Sequence, residues 1–160
     1  NALDYNEEAL AEFQAELETV RKRANGADQY FEVMQERLKS AKASARNTTG
    51  VSLEVLNQLR GLELEMNALN RTMYGDQSLS SRDFEAVPGI MDRIGLAVWV
   101  SYSNQADPTQ TQRDDVKITS EMLDEWIPEV KAINTQLVSI EEKLQSSGAP
   151  YFKSTMPNLE

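Results

Sequence analysis

The sequence predicts an all-α protein, an antiparallel four-helix bundle with long first and last helices and a shorter third helix. Two observations lead to this prediction. Apolar residues recur at alternating spacings of three and four along the long segments, as in a heptad seam. Glycine, proline and threonine clusters separate these segments, and such connections favour antiparallel neighbours. A chain of 160 residues also fits one domain, so we expect residues 1–160 to form a single helical-bundle domain.

The first helix is predicted over residues 6–46. Gly26, in the pair Asn25-Gly26, falls within it, because the apolar stripe passes this pair without a change of phase. Gly50, in "NTTG" (47–50), suits the left-handed position after a helix end. The stripe consists of Leu10, Phe13, Leu17, Val20, Ala24, Ala27, Phe31, Met34, Leu38, Ala41 and Ala45.

The second helix is predicted over residues 52–74 and is closed by Gly75. The segment 75–89 is predicted to be a loop with local structure. In it, Ser80 and Asp83 have the spacing of a capping box for a short turn. The stripe of the second helix consists of Val51, Val55, Leu59, Leu62, Met66, Leu69 and Met73.

The third helix is predicted over residues 88–102, with Pro88 as its first residue because a proline lacks the N–H that would be unpaired there. Its stretch "GLAVWVSY" (95–102) favours a strand by propensity, but a lone strand would have no partner. Leu96, Trp99 and Val100 add apolar surface on a second side of this helix. Large apolar patches seldom stay bare, so either the longer helices enclose this side or it is an interface, with Trp99 as its anchor.

The fourth helix is predicted over residues 110–147. Thr109 and Gln112 fit a capping box at its start. Pro128 lies inside it, and because the stripe keeps its phase there, a kink is expected rather than an end. The stripe consists of Val116, Thr119, Leu123, Trp126, Val130, Ile133, Leu137, Ile140 and Leu144.

The composition excludes several kinds of chemistry. The chain has no cysteine and no histidine, so thiolate metal sites, Glu-x-x-His dimetal sites and the usual nucleophile–base pairs lose their members. We therefore expect no catalytic, metal-binding or cofactor-binding residue. With 16 basic and 26 acidic residues, the formal net charge is −10. Such a field repels phosphate backbones and anionic lipids, so neither nucleic acid nor membrane is an expected partner.

The charged residues are interpreted as solvated faces. The island "RKR" (21–23) is predicted to form salt bridges on the surface of the first helix. Carboxylates on the second and fourth helices lie beside or opposite the apolar stripes, where solvated charges normally occur. They are Glu63, Glu65, Glu121, Asp124, Glu125 and Glu129.

Four short motifs carry a family resemblance: "MYGDQS" (73–78), "VPGIMDRI" (87–94), "DPTQTQRDD" (107–115) and "SSGAPY" (146–151). In this order and spacing, residues 62–151 resemble the C-terminal helical region of bacterial sortilin-like, BNR-repeat proteins, often labelled glycosyl hydrolases. In that family "GAPY" tends to run into a Thr-Pro-Gly-Arg turn, whereas here "FKSTMP" follows.

The resemblance implies a non-catalytic C-terminal domain of a larger, exported protein, whether periplasmic, cell-surface or secreted. Its partner would be its own upstream sialidase-like β-propeller or a homo-oligomer partner, and any hydrolase activity would lie in the propeller. The alternative from the residues alone is an independent coiled-coil scaffold or adaptor bundle with no associated enzyme.

Overall fold

The computed structural model describes residues 7–82, 85–103, 107–150 and 155–160. These residues form five α-helices and contain no strand. The helices are α1 Glu7–Asn47, α2 Leu53–Tyr74, α3 Gln77–Ser80, α4 Ile90–Ser103 and α5 Gln110–Ser146. The predicted all-α helical bundle is therefore confirmed. The stretch 95–102, whose propensities favour a strand, is also helical and belongs to α4.

The chain divides into two compact units, unit 1 (Asn1–Asn25 and Arg71–Glu125) and unit 2 (Gly26–Asn70 and Trp126–Glu160). The helices α1, α2 and α5 each contribute residues to both units. That all 160 residues act as one domain stays a prediction.

Unit 2 is built from three helical segments, taken from α1, α2 and α5. The Trp126 indole lies edge-on to the Phe31 ring, with 5.4 Å between the ring centroids. Its Nε1–H donates to the Leu69 carbonyl oxygen at 3.0 Å. Further along, Lys143 Nζ donates to Gln58 Oε1 at 3.2 Å. Because residue numbers rise along α5 as they fall along α2, these two helices are antiparallel.

The direction of α1 differs from the predicted topology. In unit 2, Phe31 contacts Trp126, and further along both helices Arg37 pairs with Glu141. Residue numbers rise together, so α1 and α5 run in the same direction. Three main segments in this unit, two of them parallel, do not confirm the antiparallel four-helix arrangement. Periodicity places apolar faces but does not specify which helices become neighbours.

The apolar stripes are buried as predicted. Every stripe position from Phe13 to Ala45 in α1, from Val55 to Met73 in α2 and from Val116 to Leu144 in α5 is buried, while Leu10 and Val51 are half-buried. Other buried residues lie beside the stripes and were not predicted. They are Tyr30, Arg37, Ile127 and Glu141.

The glycines after three helices adopt left-handed backbone conformations, with φ of +89° at Gly50, +79° at Gly75 and +100° at Gly148. This agrees with the predicted role of Gly50 and Gly75 at helix ends. At the N-terminus of α3, the Asp76 carboxylate caps the helix by accepting hydrogen bonds from the amide and the hydroxyl of Ser78. The hydrogen bond from the Ser78 hydroxyl is the main reason that the pKa of Asp76 lies below its ordinary value, and the bond from the Ser78 amide lowers it further. The predicted Ser80–Asp83 box lies outside what the structure describes, because Asp83 is not among the described residues.

The start of α4 corrects one prediction, since Pro88 precedes the helix and is not its first residue. The carbonyl of Gly89 accepts the first helical bond, from the Arg93 amide at 3.1 Å, and the Gly89 amide donates to Asp92 Oδ2 at 2.9 Å. A Cβ on Gly89 would lie 2.6 Å from the Met73 carbonyl oxygen. Any side chain at position 89 would clash with this backbone, so glycine is required here. The helix α4 begins at the next residue, Ile90.

Gly26 lies inside α1, as predicted, and is not among the glycines with positive φ. A Cβ there would be 3.9 Å from Leu159 Cδ1, an ordinary contact. Gly26→Ala is therefore expected to raise the free energy of unfolding by about 0.5–1 kcal/mol, measured by urea denaturation. As a control, Gly50→Ala should lower it by about 1–2 kcal/mol, because Gly50 is left-handed. A destabilised Gly26→Ala variant would contradict the continuous helix.

The predicted capping box of α5 is confirmed. The Thr109 amide donates to Gln112 Oε1 at 2.8 Å, and the Gln112 amide donates to Thr109 Oγ1 at 3.2 Å. Thr109→Ala should cost about 1 kcal/mol of unfolding free energy in thermal or urea melts and leave binding unchanged. Thr111→Ala, also exposed but within the first turn, is the control and should cost nothing. Unaltered stability with loss of an interaction would instead make this segment a recognition loop.

The helix α5 continues through Pro128, which is exposed, so the prediction that this proline does not end the helix is confirmed. The accompanying kink stays a prediction.

Candidate functional site: an exposed apolar face on α4

Three large apolar side chains project from one side of α4, and together we call them the α4 face. Leu96 is 59% exposed, Trp99 66% and Tyr102 80%. At about 100° per residue, successive members are offset by about 60°, so the three lie within one third of the helix circumference. Ile90 and Ile94 are buried on the other side.

The sequence-predicted interface residues are thus only partly brought together. Leu96 and Trp99 lie on the α4 face, whereas Val100 is half-buried at its edge. The alternative in which longer helices enclose this side is wrong for Leu96 and Trp99. Tyr102 was missed, although its spacing of three from Trp99 continues the spacing of three between Leu96 and Trp99. That Leu96, Trp99 and Val100 form an interface stays a prediction.

Residues of α5 and α1 lie beside α4. Towards α5, Arg93 Nη1 lies 3.7 Å from Asp115 Oδ1. Towards α1, a cavity of about 210 Å³, which we call the α1–α4 recess, adjoins Tyr102. The recess is lined by Gln14, Leu17, Glu18, Arg21, Val98, Ser101 and Tyr102.

Charge is distributed unevenly between the units. Unit 1, which carries the α4 face, has 16 acidic and 8 basic residues, a formal charge of −8. Unit 2 has 10 acidic and 8 basic residues, a formal charge of −2. The net negative charge of the chain therefore belongs mainly to the unit with the exposed apolar side chains.

A second candidate is a groove of about 1050 Å³ in unit 2, most of whose lining residues are polar or charged. Its wall contains the Arg37–Glu141 ion pair, whose side chains are 7% and 2% exposed. Arg37 also donates to Asn134 Oδ1 at 2.5 Å. Ser44 Oγ lies in the wall as well, buried and without a hydrogen-bond partner.

The groove is therefore best explained as the polar surround of a structural ion pair. Its buried cation and anion neutralise each other, and no histidine or cysteine exists in the chain to provide a nucleophile–base pair. Sequence reasoning missed this pair because Arg37 and Glu141 each lie next to a stripe, where charged residues normally face solvent.

The charged residues for which the sequence predicted a role are the "RKR" island and six carboxylates. In the "RKR" island, Arg21 pairs with Glu18 at 3.3 Å and Arg23 pairs with Asp124 at 2.8 Å. The six carboxylates predicted to be solvated are exposed, except for half-buried Glu63. A hydrogen bond from Lys42 lowers the pKa of Glu63.

No group of three or more carboxylates that could hold a metal ion occurs within the described ranges. Over the same part of the chain, none of the helices combines the length and apolar character that a membrane span requires.

Comparisons with family models, with curated proteins and with solved structures returned no match. The resemblance carried by the four motifs therefore remains a prediction.

Proposed function

We propose that this chain is a non-catalytic helical accessory domain that binds a protein partner through the α4 face. The proposal includes the context that the motif resemblance implies. In that context, the domain follows a BNR-type β-propeller in an exported, glycan-related protein, and any hydrolase activity belongs to the propeller.

One observation carries the proposal, namely that a tryptophan, a leucine and a tyrosine are exposed together on one face of a short helix. Isolated exposed apolar residues are normal on protein surfaces, but clustered ones mark interaction sites. Tryptophan and tyrosine are also the residues most enriched at positions that dominate binding energy. The arrangement offers contact area and no acid–base chemistry, which supports a binding role.

The alternative is an independent coiled-coil scaffold or adaptor with no associated enzyme. Exposed apolar residues on α2 support it, because Leu53, Leu56 and Leu64 share one side of that helix. The upstream reading frame distinguishes the two proposals. An accessory domain predicts repeated Ser-x-Asp-x-Gly-x-x-Trp blades there, and a scaffold predicts none.

The variant that tests the α4 face is Trp99→Ser. Because Trp99 is 66% exposed, the change should alter the free energy of unfolding by only about 0.5 kcal/mol. Association should be lost, whether it is self-association seen by light scattering or docking to the propeller in the full-length chain. Binding anchors of this kind contribute about 2 kcal/mol or more.

Leu64→Ser is the matched control, since Leu64 is 61% exposed on α2 of unit 2. It should leave the association unchanged. If Trp99→Ser simply unfolds the protein, or if it associates as well as the wild type, the proposal is wrong. Loss of association in Leu64→Ser alone would favour the scaffold.

A further inference from the structure

We infer that the partner of the α4 face is a basic protein surface, and that it places a lysine or arginine side chain in the α1–α4 recess. This inference rests on the proposed function, because it identifies the chemistry of the partner for the same face. It is carried by the charge of unit 1 and by the residues that line the recess.

The recess has the groups that a long basic side chain requires. Leu17 and Val98 provide apolar walls for the methylene stem. The Glu18 carboxylate can receive the charged end, and the aromatic ring of Tyr102 can contact the cation through its face. Because Tyr102 belongs both to the recess and to the α4 face, a partner seated on the face reaches the recess directly.

The recess also contains Arg21, which would repel a cation. Its Nη1 lies 3.3 Å from Glu18 Oε2, so this pair is electrically neutral, while the Glu18 carboxylate has further lone pairs with which to accept from a second cation. The sign of the charge that a partner surface must carry is then set by the electrostatic field of unit 1 as a whole, which has a formal charge of −8. Complementary charge steers association and disfavours partners of like charge.

The same charge argues against two other occupants. A second copy seated through the same face would bring two units of −8 together. An anionic lipid surface would be repelled in the same way. A basic protein surface matches both the apolar face and the field around it.

The experiment uses the whole chain, labelled with ¹⁵N, and follows the indole N–H resonances of its two tryptophans. Trp99 reports on the α4 face, and Trp126, which is 1% exposed, is the internal control for the fold. The probes are two amphipathic helical peptides with identical leucines, one with lysine and the other with glutamate at the polar positions. The lysine peptide should shift the Trp99 resonance and leave Trp126 unchanged. Its affinity should exceed that of the glutamate peptide by roughly ten-fold or more and fall as salt is added.

Two charge variants locate the effect. Glu18→Lys should weaken binding of the lysine peptide several-fold, whereas Glu142→Lys, the same charge change on exposed α5 surface of unit 2, should weaken it much less. Equal weakening by both variants would overturn the assignment of the recess.

Other outcomes separate the inference from the proposed function. If the glutamate peptide binds the face as well as the lysine peptide, the inference is overturned and the proposed function stands. The same holds if sedimentation equilibrium shows a dimer that Trp99→Ser abolishes. If neither peptide moves the Trp99 resonance and no dimer forms, both are overturned.

Discussion

Replacing Trp126 by alanine is expected to lower the free energy of unfolding by about 3–5 kcal/mol, the range found for large-to-small changes at buried aromatic positions. Trp126 is among the largest fully buried side chains of the chain, at 1% exposure. Its removal would leave a cavity beside Phe31 and delete the hydrogen bond to the Leu69 carbonyl. Urea denaturation, followed by circular dichroism, measures the change.

Trp99→Ala is the matched control, because it removes the same side chain from an exposed position. It should change stability by only about 0.5 kcal/mol. If the two variants lose similar amounts, the assignment of Trp126 to the core and of Trp99 to the surface is wrong.

The second large effect concerns the Arg37–Glu141 ion pair. Arg37→Met and Glu141→Leu, made singly, should each lower the free energy of unfolding by about 3–5 kcal/mol, because each removes the opposite charge of the ion pair from a buried charged group. The double variant should recover most of this loss, since a buried ion pair replaced by apolar residues of similar size is often neutral or stabilising. A double-mutant cycle in urea measures the coupling.

The partner Asn134 is half-buried and accepts from Arg37, so Arg37→Met also removes that hydrogen bond. Asn134→Ala in the wild-type background measures this separate contribution. If the double variant loses as much free energy of unfolding as the two single variants together, Arg37 and Glu141 do not stabilise each other.

Much of the fold could be predicted from the sequence because local patterns determine helices. The stripe through Gly26 and the phase across Pro128 were enough to extend α1 and α5 over their full lengths. The reciprocal spacing of Thr109 and Gln112 was enough to place the start of α5. In each case the pattern that predicts the helix is formed by residues no more than one or two helical turns apart.

The topology could not be predicted in the same way. A stripe shows which side of a helix is buried but not whether its neighbour runs parallel or antiparallel. The parallel α1 and α5 of unit 2 became visible only through pairs such as Arg37 and Glu141, which are far apart in the chain. The start of α4 was misplaced for a related reason, since the close approach of Gly89 to the Met73 carbonyl is a tertiary contact.

The candidate site was predicted in part. The sequence showed that Leu96 and Trp99 lie outside the main apolar stripe of their helix. The same sequence pattern occurs whether this second side is enclosed by other helices or exposed to solvent. Exposure of the α4 face is a property of what surrounds α4, and it required the structure. The unequal charge of the two units likewise depends on which distant segments assemble into each unit.

Binding of a partner by the α4 face can be tested by hydrogen–deuterium exchange. On the proposal that a β-propeller precedes this domain, exchange at residues 95–103 would be compared between this chain alone and a longer polypeptide that also carries that propeller. We expect slower exchange in this segment of the longer polypeptide, loss of that protection in Trp99→Ser, and no change around Leu64 on α2. Equal exchange at residues 95–103 in both proteins, with no dimer that Trp99→Ser abolishes, or protection confined to α2, would show that the α4 face is not a binding surface.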